Sequence, residues 1–337
     1  MFNVYEDSNE LIRNSAMKEI QFVTDKHYKV MVCCYTYNHS LYIREALNGF
    51  ASQDTSFPFV CLIVDDNSND GEQEVLKAFL HEECNMQEAE CLQIGLAEII
   101  IVPHKDNPNC TFVMYFLKQN LYNYPKVKNS LVTPWRQKCL YEALCEGDDY
   151  WTDSNKLQRE ATFLDENPSY SMIAENGLVV NSIKQQNYPF STQPSRDIEN
   201  KEEILRGRKF PTAGVLLRMK ESLGVYDFDF QIHDTMLWCW MLSKGKIYYS
   251  DVVSSVYRRG MQGVCESTEH YKFGQAMEQW NINIMNIFNI QPKFIYGTIA
   301  RSYKYTMMRA LGTRSYWSAL KSGVRMTNYL LKSIVKA

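Results

Sequence analysis

The chain has 337 residues, of which 45% are hydrophobic, 13% aromatic and 22% charged, enough for a sizeable core and too apolar for a disordered chain. Thirty-six Lys and Arg against 39 Asp and Glu leave a net charge of −3, so no global basic character points to nucleic acid. The length allows one large α/β domain with an appendage, or two ordinary domains.

Residues 1–27 are mixed in character and are expected to form a short helical lead-in. Tyr28–Cys34 (YKVMVCC) is an apolar, β-rich run. Ser40 is placed to cap a helix whose apolar positions are Leu41, Ile43, Ala46, Leu47 and Phe50. Pro58 breaks that pattern, and Phe59–Val64 (FVCLIV) reads as a second continuous strand. The turn-rich DDNSNDG follows, then a helix over Glu72–Leu80 and a strand over Leu96–Val102. Residues 103–139 are polar and aromatic and favour no element. Leu140–Cys145 is a further strand, Leu157–Asn167 a helix closed by Pro168, and residues 182–200 a polar loop. Phe210–Arg218 reads as a strand, Thr235–Ser243 as an aromatic helix and Ile247–Arg258 as a strand; the remainder is helical. Continuous apolar strands alternating with helices predict a parallel sheet covered on both faces, with its ligand site at the carboxyl ends of the strands.

The ten cysteines are scattered apart from Cys33-Cys34, with no CxxC pair. Cys33, Cys61 and Cys145 lie in apolar runs, where a thiol behaves as a small hydrophobe. No run reaches the ~18–20 apolar residues that span a bilayer. The acidic N-terminus lacks the basic and apolar regions of a signal peptide. A reduced, cytoplasmic protein is expected.

Two aspartate doublets follow apolar strands: Asp65-Asp66 and Asp148-Asp149. Adjacent carboxylates repel, so such pairs usually meet a cation, a sugar hydroxyl or a base N–H. The alternative for DDNSNDG is a solvated turn with a helix cap. A calcium loop is disfavoured, since the twelfth position from Asp66 is Lys77 where a Glu is needed. The second doublet is crowded by Glu146, Gly147, Tyr150 and Trp151. Asp234, after His233 and before a helix, is either a functional acid or an N-cap. The chain contains no GxGxxG, GxxxxGK[ST], HExxH or GxSxG.

CYTYNHSLYIREALNGFASQ, VDDNSNDG, EGDDYWTDSNKLQREATFLDENPSY and HDTMLWCWMLSKGKIYYSDVVSSVYRRG occur in that order across about residues 28–260. The ordered set resembles family 2 glycosyltransferases, and EGDDYWTD with its FLDENP helix is similar to a bacterial subgroup. The resemblance implies a GT-A fold: an α/β architecture with a Rossmann-like mixed sheet flanked by helices, here with a helical C-terminal extension. The implied organisation is 1–27 lead-in, 28–260 glycosyltransferase domain and 261–337 basic helical segment. It further implies that Tyr37 stacks on the nucleotide base, Tyr35 contacts it through its backbone, and Asp66 accepts a base N–H. Asp148 would contact the ribose or sugar, Asp149 would ligate Mg²⁺ or Mn²⁺, and Asp234 would be the general base. The implied reaction is inverting transfer from a nucleotide-sugar donor, UDP-linked by the base contact, to a glycan or lipid-linked acceptor in bacterial surface polysaccharide assembly. His233 stands where the family usually has Glu, Cys139-Leu140 where Gly-Lys is common, and Lys118-Gln119-Asn120 near the place of an Arg-Asn segment. Two other readings remain: a nucleotidyltransferase, which would want a Gly/Arg/Lys-rich loop after the first strand, and a degenerate nucleotide-sugar-binding module, against which the intact acids argue.

From Gln279 to Ala337 there are nine Lys or Arg and no Asp or Glu, leaving residues 1–278 with a net charge of −12. At 100° per residue, Arg314, Lys321, Arg325, Lys332 and Lys336 share a stripe beside an apolar face containing Trp317, Leu320, Val324, Leu331, Ile334 and Val335. Two readings follow. One is a peripheral helix lying on anionic lipid at the inner face of the membrane; the other is an ordinary helix that packs Trp317 and Leu320 on the domain.

Overall fold

The structure, a computed structural model, describes residues 27–182, 185–207, 209–228, 230, 232–259 and 269–335. The expected lead-in therefore lies outside the described residues except for His27. Twelve strands form one sheet: β1 (Val30–Thr36), β2 (Phe59–Asp65), β3 (Glu90–Gln93), β4 (Ala97–Pro103), β5 (Cys110–Leu117), β6 (Tyr141–Leu144), β7 (Tyr150–Trp151), β8 (Tyr170–Asn181), β9 (Gln186–Pro189), β10 (Arg196–Ile198), β11 (Val215–Arg218) and β12 (Lys246–Arg259). The main order is β10-β12-β8-β11-β6-β1-β2-β5-β4-β3.

The four central strands, β6-β1-β2-β5, are parallel, so the carboxyl ends of all four lie on one edge. Outside them the pairing turns antiparallel, at β11 with β6 on one side and β4 with β5 on the other. The sheet is mixed, as a GT-A fold requires, rather than wholly parallel.

Both faces of the centre are covered, which explains the unbroken apolar runs. Alternation along β1 sends Val30, Val32 and Cys34 to one face and Met31 and Cys33 to the other. The first face packs on α1 (Ile43–Ala51), α2 (Glu72–Glu83) and, through Leu157, Ala161 and Leu164, on the helix Lys156–Glu166. The second packs on α3 (Pro125–Arg136), through Leu131, Val132 and Trp135. All nine described cysteines are free and all but Cys91 are buried. Burial pushes the Cys33 thiol up to about 12, so it is chemically quiet.

Three expectations change. Ser40 does not cap α1, which starts at Ile43; the Ser40 N–H donates to Asp70 Oδ2 at 3.0 Å and Leu41 is 80% exposed. Residues 103–139 hold β5, every residue of which is buried, and α3; polar flanks on both sides hide them in the sequence. The polar loop over 182–200 contains β9, which pairs with β8, and β10.

The chain divides into two compact units. The first holds the sheet and comprises the residues up to Ile198, Lys209–Ile232 and Met241–Arg258. The second gathers Glu199–Arg208, His233–Trp240 and everything from Arg259 onward. Its principal helices are α4 (His270–Phe288), α5 (Pro292–Gly312) and α6 (Tyr316–Val335). Among the described residues no helix is long and apolar enough to cross a membrane.

One buried ion pair lies beside β6 in the first unit. Arg136 Nε meets Glu142 Oε1 at 2.9 Å, the Tyr226 hydroxyl donates to Glu142 Oε2 at 2.9 Å, and the Tyr226 ring lies 3.6 Å from the guanidinium. Removing one partner strands the other charge in an apolar interior. Arg136→Met should lower stability by about 3–5 kcal/mol, and Arg136→Met/Glu142→Met should recover at least half of the loss in urea denaturation. A double variant as unstable as the single one would show that packing, not the stranded carboxylate, dominates.

Candidate active site

The loops leaving β1, β2, β5 and β6 meet at the carboxyl edge of the parallel strands. The β1 and β2 loops are tied together by Glu72, the first residue of α2, which is fully buried. It accepts hydrogen bonds from the Thr36 hydroxyl, the His39 N–H at 2.8 Å and the Ser68 hydroxyl at 2.8 Å. Burial pushes the Glu72 carboxyl upward against those bonds. Asn38 completes the stitching: its N–H donates to Ser68 Oγ at 2.9 Å and its Oδ1 accepts from Asn69 N at 2.9 Å. The left-handed backbone of Asn38 and Asn67, at φ 59° and 63°, suits the residue type that adopts it most readily after glycine.

The first aspartate doublet splits its labour. Asp65 faces inward and accepts from Ser68 N at 3.2 Å and Gln73 Nε2 at 2.5 Å, so it organises the turn. Burial raises its carboxyl from the ordinary value. Asp66, 4% exposed, accepts Leu121 N–H on Oδ1 at 2.6 Å and meets Lys128 Nζ through Oδ2 at 3.2 Å. Asn120 Nδ2 donates to the Asp66 carbonyl at 3.0 Å. Lys128 also lies 5.0 Å from the centre of the Tyr35 ring and 5.9 Å from that of Tyr122.

Tyr35 is anchored rather than free. Its hydroxyl donates to Asn129 Oδ1 at 3.3 Å, and its carbonyl accepts the Gly147 N–H at 3.2 Å. Tyr37 is 39% exposed in the loop after β1. Gly147 is required by close approach: a Cβ there would meet Thr36 Oγ1 at 2.1 Å.

The second doublet sits in the β6–β7 loop. Asp149 is 2% exposed and its Oδ1 accepts the Arg258 N–H at 2.8 Å; among the described residues its Oδ2 accepts no hydrogen bond. Burial first, and neighbouring Asp148 second, push its carboxyl well above the ordinary carboxylate range. The Arg258 side chain donates to the Asp148 carbonyl at 2.7 Å and to Glu45 Oε1 at 2.6 Å. Its guanidinium lies 4.5 Å from the Tyr150 ring centre and 5.0 Å from that of Tyr42.

A buried carboxylate with an open oxygen and an acid neighbour is a poor resident of an apolar edge and a good ligand for a hard cation. Among the described residues no cluster of three or more His, Cys, Asp or Glu side chains could hold a metal by itself. That donor set fits Mg²⁺ or Mn²⁺ of the kind held by one or two carboxylates, with the remaining ligands coming from substrate phosphates.

Asp234 lies in the second unit, as the first residue of the helix Asp234–Lys244. Its Oδ1 accepts the Thr235 N–H at 2.8 Å and lies 3.4 Å from His233 Nδ1. The His233 ring packs on Trp280 with centroids 4.4 Å apart. The first unit thus brings Tyr35, Tyr37, Asp66, Asp148 and Asp149 to one edge. Three residues in this constellation were not singled out from the sequence. Lys128 lies in the segment that favoured no element; Arg258 is visible in VYRRG, and Glu72 at a predicted helix start, but neither pattern names a partner.

Residues 31–88 match the model described as Glycosyl transferase family 2. Uncharacterized protein Rv1520 of Mycobacterium tuberculosis and uncharacterized protein Mb1547 of Mycobacterium bovis are each 27% identical over 244 residues, 72% of this chain. Those matches span 62% of each relative's length, so the chain covers less than two thirds of these curated relatives. Among solved structures, S. aureus TarS 1-349 in complex with UDP-GlcNAc superposes with a TM-score of 0.60 at 17% identity, covering 90% of this chain and 81% of that one. TarS 1-349 alone gives 0.54 at 18% identity, covering 88% and 80%. At such identities the likeness establishes the fold. The segment that matches the Glycosyl transferase family 2 model runs through β1, the Glu72 junction and β2, and the sheet that carries it has the GT-A fold.

Proposed function

We propose that the chain moves a glycosyl group from a UDP-sugar to a hydroxyl of a glycan or lipid-linked acceptor, with inversion at the anomeric carbon, in polysaccharide assembly. The observation that carries this reading is Asp149: a buried acid with an open oxygen beside Asp148, at the strand edge where Asp66 and Tyr37 also stand. A neighbouring fold in complex with UDP-GlcNAc supports a nucleotide-sugar donor. Tyr37 offers a half-exposed ring for the base to stack on. Asp66 keeps lone pairs beyond those used by Leu121 and Lys128 for a base N–H, and Tyr35 the second lone pair of its carbonyl. Asp148 would contact the ribose or sugar, and Asp149 would hold Mg²⁺ or Mn²⁺. When bound, such an ion neutralises charge on the departing diphosphate.

Asp234 accepts the acceptor's hydroxyl proton as its oxygen attacks the anomeric carbon and the bond to the diphosphate oxygen breaks. The Thr235 N–H and His233 fix the orientation of that carboxylate. His233 in place of an acid leaves Asp234 without a like-charged neighbour in sequence.

Thermal shift with UDP, Mn²⁺ and a panel of nucleotide-sugars tests the donor site, since a ligand of the folded state raises Tm by mass action. Asp149→Asn should abolish the Mn²⁺-dependent part of the UDP shift and keep the unliganded Tm within a few degrees. Equal shifts in variant and wild type would remove Asp149 from the donor site.

The raised carboxyl of Asp149 sets a pH signature. Below its folded-state value Asp149 carries a proton and cannot ligate a cation. Mn²⁺-dependent UDP affinity should therefore fall as pH drops, starting above the ordinary carboxylate range. Isothermal titration from pH 8 downward checks this. A profile flat through that region, or one that persists in Asp149→Asn, would refute the assignment.

For the base, Asp234→Asn should lower kcat by about 10²–10⁴-fold and leave donor affinity nearly unchanged. Near-normal turnover would reduce Asp234 to a helix-start residue.

A further inference from the structure

The last two helices of the second unit present an apolar groove that holds none of the residues assigned above. A groove of about 800 Å³ is lined by Met307, Leu311 and Tyr316 with Leu320, Val324 and Leu331. Around it the large apolar side chains point outward: Met308 is 57% exposed, Trp317 68%, Leu320 58%, Val324 63%, Leu331 58% and Ile334 70%. Trp317 and Leu320, the two side chains whose packing the sequence left open, are among them. Such a continuous apolar surface is costly to leave in water and marks an interaction site.

Charge narrows what covers it. Lys304, one turn before Met308 on α5, and Arg314, between α5 and α6, are exposed, and Lys321 lies 5.3 Å from the Trp317 ring centre. Of the stripe expected from the sequence, Arg325 is drawn into the bundle by Glu278 at 3.2 Å and Lys336 lies outside the described residues. Glu278 itself is turned inward, accepting the Tyr303 hydroxyl at 2.5 Å and the Tyr329 hydroxyl at 2.6 Å. From Gln279 onward no acid exists to oppose the nine cations. Two copies placed face to face would set like charges against each other. An anionic lipid surface satisfies both features: the acyl region takes the apolar side chains and the headgroups meet the cations.

We propose that the α5–α6 face is a peripheral docking surface for anionic phospholipid bilayers. Trp317, Leu320, Val324 and Ile334 enter the interface, and Lys304, Arg314 and Lys321 pair with headgroup phosphates. The surface lies wholly within the second unit, so the proposal does not depend on the assignment of Asp149 or Asp234.

Co-sedimentation of the full chain tests it, using vesicles of phosphatidylglycerol and phosphatidylcholine against phosphatidylcholine alone, at low and high salt. Binding is expected to the anionic vesicles at low salt, at least tenfold stronger than to neutral ones and reversed by salt, because each basic residue near an anionic surface contributes about fivefold. Leu320→Glu/Val324→Glu and Lys304→Glu/Lys321→Glu replace exposed side chains; each should weaken binding at least tenfold with an unchanged far-UV spectrum. No sedimentation at low salt, equal binding to neutral vesicles, or full binding by both variants would overturn the proposal. So would a dimer in light scattering that Leu320→Glu/Val324→Glu dissolves while vesicle binding persists.

Discussion

The working edge of this protein is held together by buried acid. Asp65, Asp66, Glu72 and Asp149 are each at most 4% exposed, and all lie at or beyond the carboxyl ends of the central parallel strands. Taking a carboxylate out of water is expensive unless donors are fixed around it. Asp65, Asp66 and Glu72 solve this internally, with backbone N–H groups, hydroxyls, one amide and one ammonium. Asp149 is solved halfway, by one N–H on one oxygen. Of the four, Asp149 alone keeps an oxygen that accepts no hydrogen bond among the described residues.

Positioning follows from the same constraint. Because Glu72 needs Thr36, His39 and Ser68 at once, the loop after β1 cannot move independently of the loop after β2. Tyr37 and Asp66 leave those two loops and inherit their fixed spacing. Lys128 ties Asp66 to α3, so the opposite layer of the sheet also has a hand on the site. Arg258 does the equivalent from β12, reaching the Asp148 carbonyl, Glu45 and the Tyr150 ring.

Much of this was legible in the sequence, for identifiable reasons. YKVMVCC and FVCLIV could be read as strands because a doubly covered strand needs no alternation. The doublets could be read as a ligand edge because they follow such strands. CTFVMYFL has the same character yet escaped, because polar flanks blur a window of that length. Ser40 misled because a serine before an apolar pattern is the ordinary cap signal, whereas here its N–H is used by Asp70 across the loop. Lys128 and Glu72 were beyond reach of any local pattern: their partners lie 62 and 36 residues away. Long-range satisfaction of a buried charge leaves no periodic trace.

Gly147 carries a consequence for how such a site can drift. With Thr36 Oγ1 only 2.1 Å from the place a Cβ would occupy, any side chain at 147 demands retreat of Thr36, which would weaken one of the three hydrogen bonds that Glu72 accepts. Positions 36, 72 and 147 are therefore coupled, so the effect of changing one depends on the residues at the other two. Tyr37 carries no such debt. Its ring is exposed, so substitution there leaves the hydrogen-bonded scaffold beneath it unchanged.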